Sequence, residues 1–210
     1  MAHWYTCPAD SHGSKGVELN RRSVLEGSAR MLGLWGAGSA LGSEAWLGAM
    51  AAGLKGFETV KDQQDGYQFA YPFGWQEVSV KGQDVVYKDV IEPLESVSVS
   101  YIPTDKTSIE EYGDVNEVTS TLVTKVLTTP GQNVKLINCE IRDANGRKYY
   151  DFEYTAANPR YSRHAMASVT VGNGKFYTLE TGANEKRWSK IGGKVKTVVK
   201  SFEVFDRTDY

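Results

Sequence analysis

Cysteine is almost missing from this chain: Cys7 and Cys139 are the only two, and three histidines are nearly as few. A disulfide-stapled scaffold is therefore excluded, and with 40% apolar residues the chain has enough material for an ordinary core. Cys139, in an alternating apolar run, reads as a small buried hydrophobe in a mature domain without a bridge. There is no Gly-x-Ser-x-Gly, Cys-x-x-Cys, phosphate-loop or paired-histidine motif, so the usual parts for nucleophilic, thiol-redox, phosphoryl-transfer or zinc-hydrolase chemistry are missing and no enzyme is expected. Charge of one sign is lacking too. Lys plus Arg number 24 against 26 Asp plus Glu, a net charge of −2, which offers no field to gather nucleic acid. No internal repeat, low-complexity tract or second domain is evident.

What the first fifty residues do contain is an address. Arg21-Arg22-Ser23-Val24-Leu25 precedes a charge-free stretch from Met31 to Ser43, then Glu44, then a second apolar piece from Ala45 to Leu54. This is the layout of a twin-arginine export signal. It ends in Ala49-Met50-Ala51, with small residues where a signal peptidase reads, so cleavage is expected after Ala51. Glu44 and six glycines between Gly33 and Gly53 argue against a membrane-spanning helix, which needs about 20 mostly apolar residues. The leader carries four basic groups (Lys15, Arg21, Arg22, Arg30) and four acidic ones (Asp10, Glu18, Glu26, Glu44), so its removal leaves the net charge at −2. Residues 1–20 are short for a chloroplast transit peptide, and their Asp10 and Glu18 suit one poorly, which points to a truncated gene start or a partial precursor. The expected organisation is a leader over 1–51, a short tether over 52–65 and one domain over 66–205.

Within that domain the pattern alternates between two periods. Tyr67, Phe69 and Tyr71 share one face of a strand that Pro72 and Gly74 end. Segments 75–80 and 85–88 follow, and in Ser96 to Tyr101 three valine and tyrosine positions alternate strictly with three serines. These four are expected to form a meander. Val118, Leu122, Val123, Val126 and Leu127 then fall at helical spacing behind Asp114 as a cap, and Pro130-Gly131 stops them. Two hairpins are expected next: 134–142 with 148–154 around Asp143-Ala144-Asn145-Gly146, and 163–171 with 175–181 around Gly172-Asn173-Gly174. Trp188, Ile191, Val195, Val198, Val199 and Phe202 make the stripe of a last helix, which Gly192-Gly193 should weaken. Strands joined by such tight turns must be antiparallel, so the class is α+β, a central antiparallel sheet sandwiched by helices.

The block from Gly66 to Pro72 with Gly74-Trp75, then Val85-Val86-Tyr87-Lys88-Asp89, resembles the opening of PsbP-family domains. Gly174 to Leu179, Gly182 to Trp188 and Ser201-Phe202 are similar to that family's closing hairpin and last helix, so the likeness spans roughly residues 60 to 205, nearer the PsbP-like branch than the major oxygen-evolving subunit. It implies the thylakoid lumen of the chloroplast and a non-catalytic auxiliary role at photosystem II, either in assembly and repair or in stabilising the oxygen-evolving complex. The alternatives it implies are a lumenal subunit of the chloroplast NADH-dehydrogenase-like complex, or a calcium or manganese carrier. The implied partners are lumenal subunits of photosystem II, with the membrane approached peripherally through protein contacts and no nucleic acid. The long basic arm of the major subunit is not evident in Ala52 to Asp65.

The same resemblance implies a divalent-ion site at His164, the one histidine after residue 51, and Glu185, 21 residues later. Two protein ligands would hold calcium or manganese, or zinc in vitro, only weakly, and no cofactor is required. The plainer alternative is an exposed histidine beside Arg163 with a capping glutamate. Lys186, Arg187 and Lys190, with Lys194, Lys196 and Lys200 beyond, line the polar side of the last helix. With Arg160 and Arg163 they are the candidate docking surface, the alternative being a merely solvated face. Trp75 and Trp188 are core residues on this reading, rather than partner anchors.

Overall fold

The computed structural model describes residues 55–207. Ten strands and two helices follow in order: β1 (Phe57–Asp62), β2 (Tyr67–Pro72), β3 (Gln76–Glu77), β4 (Val85–Lys88), β5 (Ser96–Pro103), α1 (Val115–Lys125), β6 (Asn133–Ala144), β7 (Arg147–Ala157), β8 (Ser162–Gly172), β9 (Lys175–Asn184), α2 (Trp188–Ser201) and β10 (Glu203–Val204). Short 3-10 turns at Ile109–Tyr112 and Glu185–Arg187 lead into the two helices. Seven strands form one antiparallel sheet in the order β3-β4-β5-β9-β8-β7-β6. The other three form a small sheet, β1-β2-β10.

Local chemistry explains most of this. Asn145-Gly146 and Asn173-Gly174 adopt φ of 52° and 72°, and of 50° and 69°, the paired positive values that a two-residue hairpin turn requires. Asp114 caps α1 as expected, its Oδ1 accepting from the amides of Asn116 and Glu117 at 2.8 and 3.2 Å. In α2 the stripe Ile191, Val195, Val198 and Val199 is buried and packs with Tyr67, Phe69, Val97 and Leu179. On the opposite face of the large sheet α1 and the turn before it cover Tyr150, Phe152, Tyr154 and Val169. The sheet is thus sandwiched by helices, as the class predicts.

Four expectations need correction. The segment taken for a tether contains β1, which pairs with β2 from Phe57↔Pro72 to Asp62↔Tyr67; its burial alternates too weakly to announce a strand. β2 does not join the meander. All six of its residues are buried: β2 packs on α2, and its two edges are covered by β1 and by β10 with the Ser201 hydroxyl, which accepts from the Ala70 amide at 2.8 Å. The strand expected over 75–80 shrinks to Gln76–Glu77, since Val78 and Val80 sit exposed at the sheet edge. Cys139 is buried against α1 as expected, but it is disulfide-bonded, and its partner lies outside the described residues.

Glu203 of β10 is buried beneath Gln68 and Asn145, whose side-chain amides donate to its Oε2 at 3.2 and 2.6 Å. Burial pushes its carboxyl above the ordinary range, outweighing those two bonds and the Arg142 charge. A raised folded-state value means that the protonated form fits better. Its stability is complete below the unfolded value of 4.5 and is lost as pH rises through the folded one. Glu203→Gln offers an oxygen to the same two donors. It is expected to raise the urea midpoint at about pH 8 and to leave it unchanged near about pH 4. An equal gain at both would remove the carboxyl as its source.

Candidate functional site

The hairpin β8–β9 and the turn that follows it bring the expected pair together. His164 lies on β8 between Thr155 of β7 and Ala183 of β9, and its side chain faces α2. Asn184 ends β9 by accepting the Lys186 amide at 3.0 Å, which starts the 3-10 turn and carries Glu185 back over the histidine. Glu185 Oε2 then stands 2.9 Å from His164 Nδ1. The exposed-histidine alternative is not what is found, because His164 is 6% exposed.

Two residues that the pattern did not single out for this site complete it. Glu153 of β7 accepts or shares the proton of His164 Nε2 at 2.6 Å, and the Trp188 ring stacks on the imidazole at 3.6 Å and 6°. Trp188 can fold back this way because residue 192 is glycine: a Cβ there would meet the indole at 3.1 Å. The glycine expected to weaken α2 makes room for the stack. Glu153 was legible in principle. It alternates with the inward-facing Phe152 and Tyr154, and the β7–β8 register puts its side chain on the histidine's face.

The two ring nitrogens differ. Nε2 is in hydrogen-bond contact with Glu153, whereas Nδ1 is buried with no hydrogen-bond partner, because Glu185 lies off the axis that an N–H there would take. With its proton on Nε2, the ring leaves the Nδ1 lone pair along that same axis, with the Glu185 carboxylate oxygen beside it at 2.9 Å. A cation on the axis would be within reach of both electron-rich atoms. A carboxylate on the far nitrogen is the arrangement that orients metal-binding histidines.

The basic residues separate into two groups. Lys186, Lys190, Lys194 and Lys196 are exposed along α2 and the turn before it, and Arg160 is exposed at the β7–β8 turn. Arg163 and Arg187 are committed within the chain: Arg163 donates to Leu94 O at 2.6 Å and lies 3.5 Å from Glu180, and Arg187 pairs with Glu95 and with Glu92 at 3.2 Å. Lys200 is likewise paired, with Glu140 and the buried Asp151. Trp75 is buried in the core as expected.

The serines of β5 line two cavities. Ser96 and Ser98 floor a cavity of about 350 Å³ with Lys88, Arg163 and Glu180 at its walls, and Ser100 belongs to a neighbouring apolar one of about 380 Å³ under α1. Burial, and then the Glu180 charge, hold the Tyr154 hydroxyl well above its usual value at the first. Elsewhere Asp62, Asp65 and Asp84 bring carboxylate oxygens within 4.8 Å of one another. Each has a protein partner already: Asp84 takes the Tyr67 hydroxyl, Asp65 the Lys175 ammonium, and Asp62 the Asp65 amide. Among the described residues no helix is long and apolar enough to cross a membrane. Arg21, Arg22, Ala49 and Ala51 lie outside the described residues.

A family model described as PsbP matches residues 55–204. PsbP-like protein 1, chloroplastic, of Arabidopsis thaliana is 52% identical over 162 residues, 77% of this chain and 70% of that one. The photosynthetic NDH subunit of lumenal location 1, also of Arabidopsis, is 36% identical over 150 residues, 71% of this chain and 63% of its own length. The solution structure of cyanobacterial PsbP (CyanoP) from Synechocystis superposes with a TM-score of 0.62 at 32% identity, over 81% of this chain and 99% of that one.

Proposed function

The chain belongs to the PsbP family, and on that premise we propose that it serves in the thylakoid lumen as a non-catalytic auxiliary protein of photosystem II, supporting assembly and repair. The observation that carries this reading is the 52% identity to a chloroplast PsbP-like protein across most of both chains. The exposed row Lys186, Lys190 and Lys194 supports it as a surface for acidic lumenal loops, where such charges govern encounter and salt dependence. Arg163 and Arg187 serve that surface indirectly, through the loop they hold. The leader over 1–51, with Arg21-Arg22 and cleavage after Ala51, is the proposed route into the lumen. Mild-detergent solubilisation of thylakoids followed by affinity recovery of this chain tests the reading. Photosystem II subunits should come with it. Recovery of the NADH-dehydrogenase-like complex alone would overturn the reading in favour of the second partner, which the 36% relative supports.

A second role is favoured by the His164 Nδ1 and Glu185 pair: a weak divalent-ion site in which Glu153 orients the ring. Two protein ligands leave the remaining positions to water, so affinity is expected in the range of about 10⁻⁴–10⁻³ M that weak calcium modules show. Titrating manganese while following the His164 ring resonances checks it. Selective broadening of His164 that Glu185→Gln abolishes is the expected result; unchanged resonances at about 10⁻² M metal would discard the site.

A further inference from the structure

The corner beside the basic turn carries a feature that the family reading leaves unused. Residues 89–95, Asp-Val-Ile-Glu-Pro-Leu-Glu, connect β4 to β5 and present Val90 and Ile91 at 62% and 83% exposure. Single exposed aliphatic residues need no explanation. Two in succession on an immobilised loop do. Asp89 Oδ1 accepts from the amides of Ile91 and Glu92, both at 2.8 Å; the Asp89 amide reaches Glu95 O at 2.9 Å, and the Glu95 amide reaches Glu92 O at 2.7 Å. Glu95, 3% exposed, is paired with Arg187, which also takes Glu92, and Arg163 clamps Leu94 O. The β3–β4 register Gln76↔Lys88 directs the turn before β3, with Phe73 at 74% exposure, toward the same end of the sheet.

We propose that this clamped tip, Val90-Ile91, is a contact element that inserts into an apolar pocket with a basic rim on a partner protein. Ordering the loop in advance removes the entropy cost that a mobile tip would meet on binding. The two arginines act as positioning residues for the tip. Charge selects a protein over a lipid surface: the loop's three acids, Asp89, Glu92 and Glu95, exceed the single base paired with them, Arg187, whereas loops that enter anionic membranes carry an excess of lysine and arginine beside their apolar residues. The inference rests on the reading of the chain as a lumenal protein-binding factor and names the element that makes the contact.

The test compares the wild type with Val90→Ser/Ile91→Ser for binding to salt-washed inside-out thylakoid vesicles, from normal plants and from plants lacking photosystem II. Both substitutions are at exposed positions, so the thermal midpoint should not move. Burial of two aliphatic side chains predicts a loss of affinity of about 10- to 100-fold, at high salt as well as low. Equal binding by the two proteins overturns the tip while the auxiliary reading stands. Undiminished wild-type binding to vesicles without photosystem II overturns that partner instead, and the variant still decides the tip there. Absence of wild-type binding to both vesicles overturns both, and equal wild-type binding to protein-free anionic lipid vesicles overturns the protein pocket.

Discussion

Asp151→Ala is expected to lower the unfolding free energy by about 3 kcal/mol, the lower end of the range for removing one member of a buried ion pair. Asp151 is fully buried on β7, between Glu140 of β6 and Ser168 of β8. Arg142 Nε donates to it at 2.8 Å, Ser168 Oγ at 2.5 Å, and Lys200 Nζ of α2 approaches at 3.3 Å. Arg142 also stacks on Tyr149 at 4.2 Å and donates to Phe202 O at 3.1 Å, so the carboxylate ties three strands of the large sheet to the end of α2. Without it the guanidinium, whose side chain is 13% exposed, has lost its anion in a site that water barely reaches. Its bond to Phe202 O and its ring contact survive, which keeps the loss at the lower end of that range. In a domain of this size the loss corresponds to a fall in thermal midpoint of roughly 6–12 °C. Lys200→Ala should cost less than about 1 kcal/mol, because its ammonium is half-exposed and its other partner, Glu140, is exposed as well. Urea titrations of both variants check the pair; if Asp151→Ala costs no more than Lys200→Ala, the buried carboxylate is not the tie described.

The fold could be read from the sequence where one residue type determined one geometry. Asn-Gly at 145–146 and 173–174 dictated both hairpins, Asp114 placed the start of α1, and the stripe from Ile191 to Val199 placed α2. It could not be read where a strand lacked alternation. β1 has too little burial contrast to show a period, and β2, buried on both faces, shows aromatic alternation without revealing that its partner is β10, more than 130 residues away. The site followed the same rule. His164 and Glu185 were found through resemblance, whereas Glu153 and Trp188 depended on register and on a helix start that propensity places only to within a turn. The charged residues were the least legible. A row of lysines and arginines on a helix gives no sign of which are exposed, and the carboxylates that take Arg163, Arg187 and Lys200 come from other elements, 49 or more residues away for Arg187 and Lys200.

Glycines test the site most sharply, because two of them separate clash from open space. Gly182 of β9 is paired with Ser96 on one side and Ala165 on the other, at the centre of the large sheet. A Cβ there would lie 2.5 Å from His164 O and 2.9 Å from Ala165 Cα, so backbone, not a flexible side-chain end, would have to move. A glycine inside a strand marks such close approach. Gly182→Ala is expected to cost about 1–3 kcal/mol, the usual range for overpacking a core. The displacement should be local: β8 must part from β9 at His164, lifting the imidazole off Trp188 and away from Glu185. NMR reads this directly, since a ring stacked at 3.6 Å shifts the His164 protons upfield, and they should return toward free-histidine positions in the variant. Gly193 is the control: it is exposed in the interior of α2, and a Cβ there would meet nothing within 4 Å. Gly193→Ala should stabilise by about 0.5–1 kcal/mol through helix propensity and leave the His164 resonances in place. If the two alanines instead shift those resonances alike, the stack is not held by the closeness of β8 and β9, and the site owes its geometry to α2 alone.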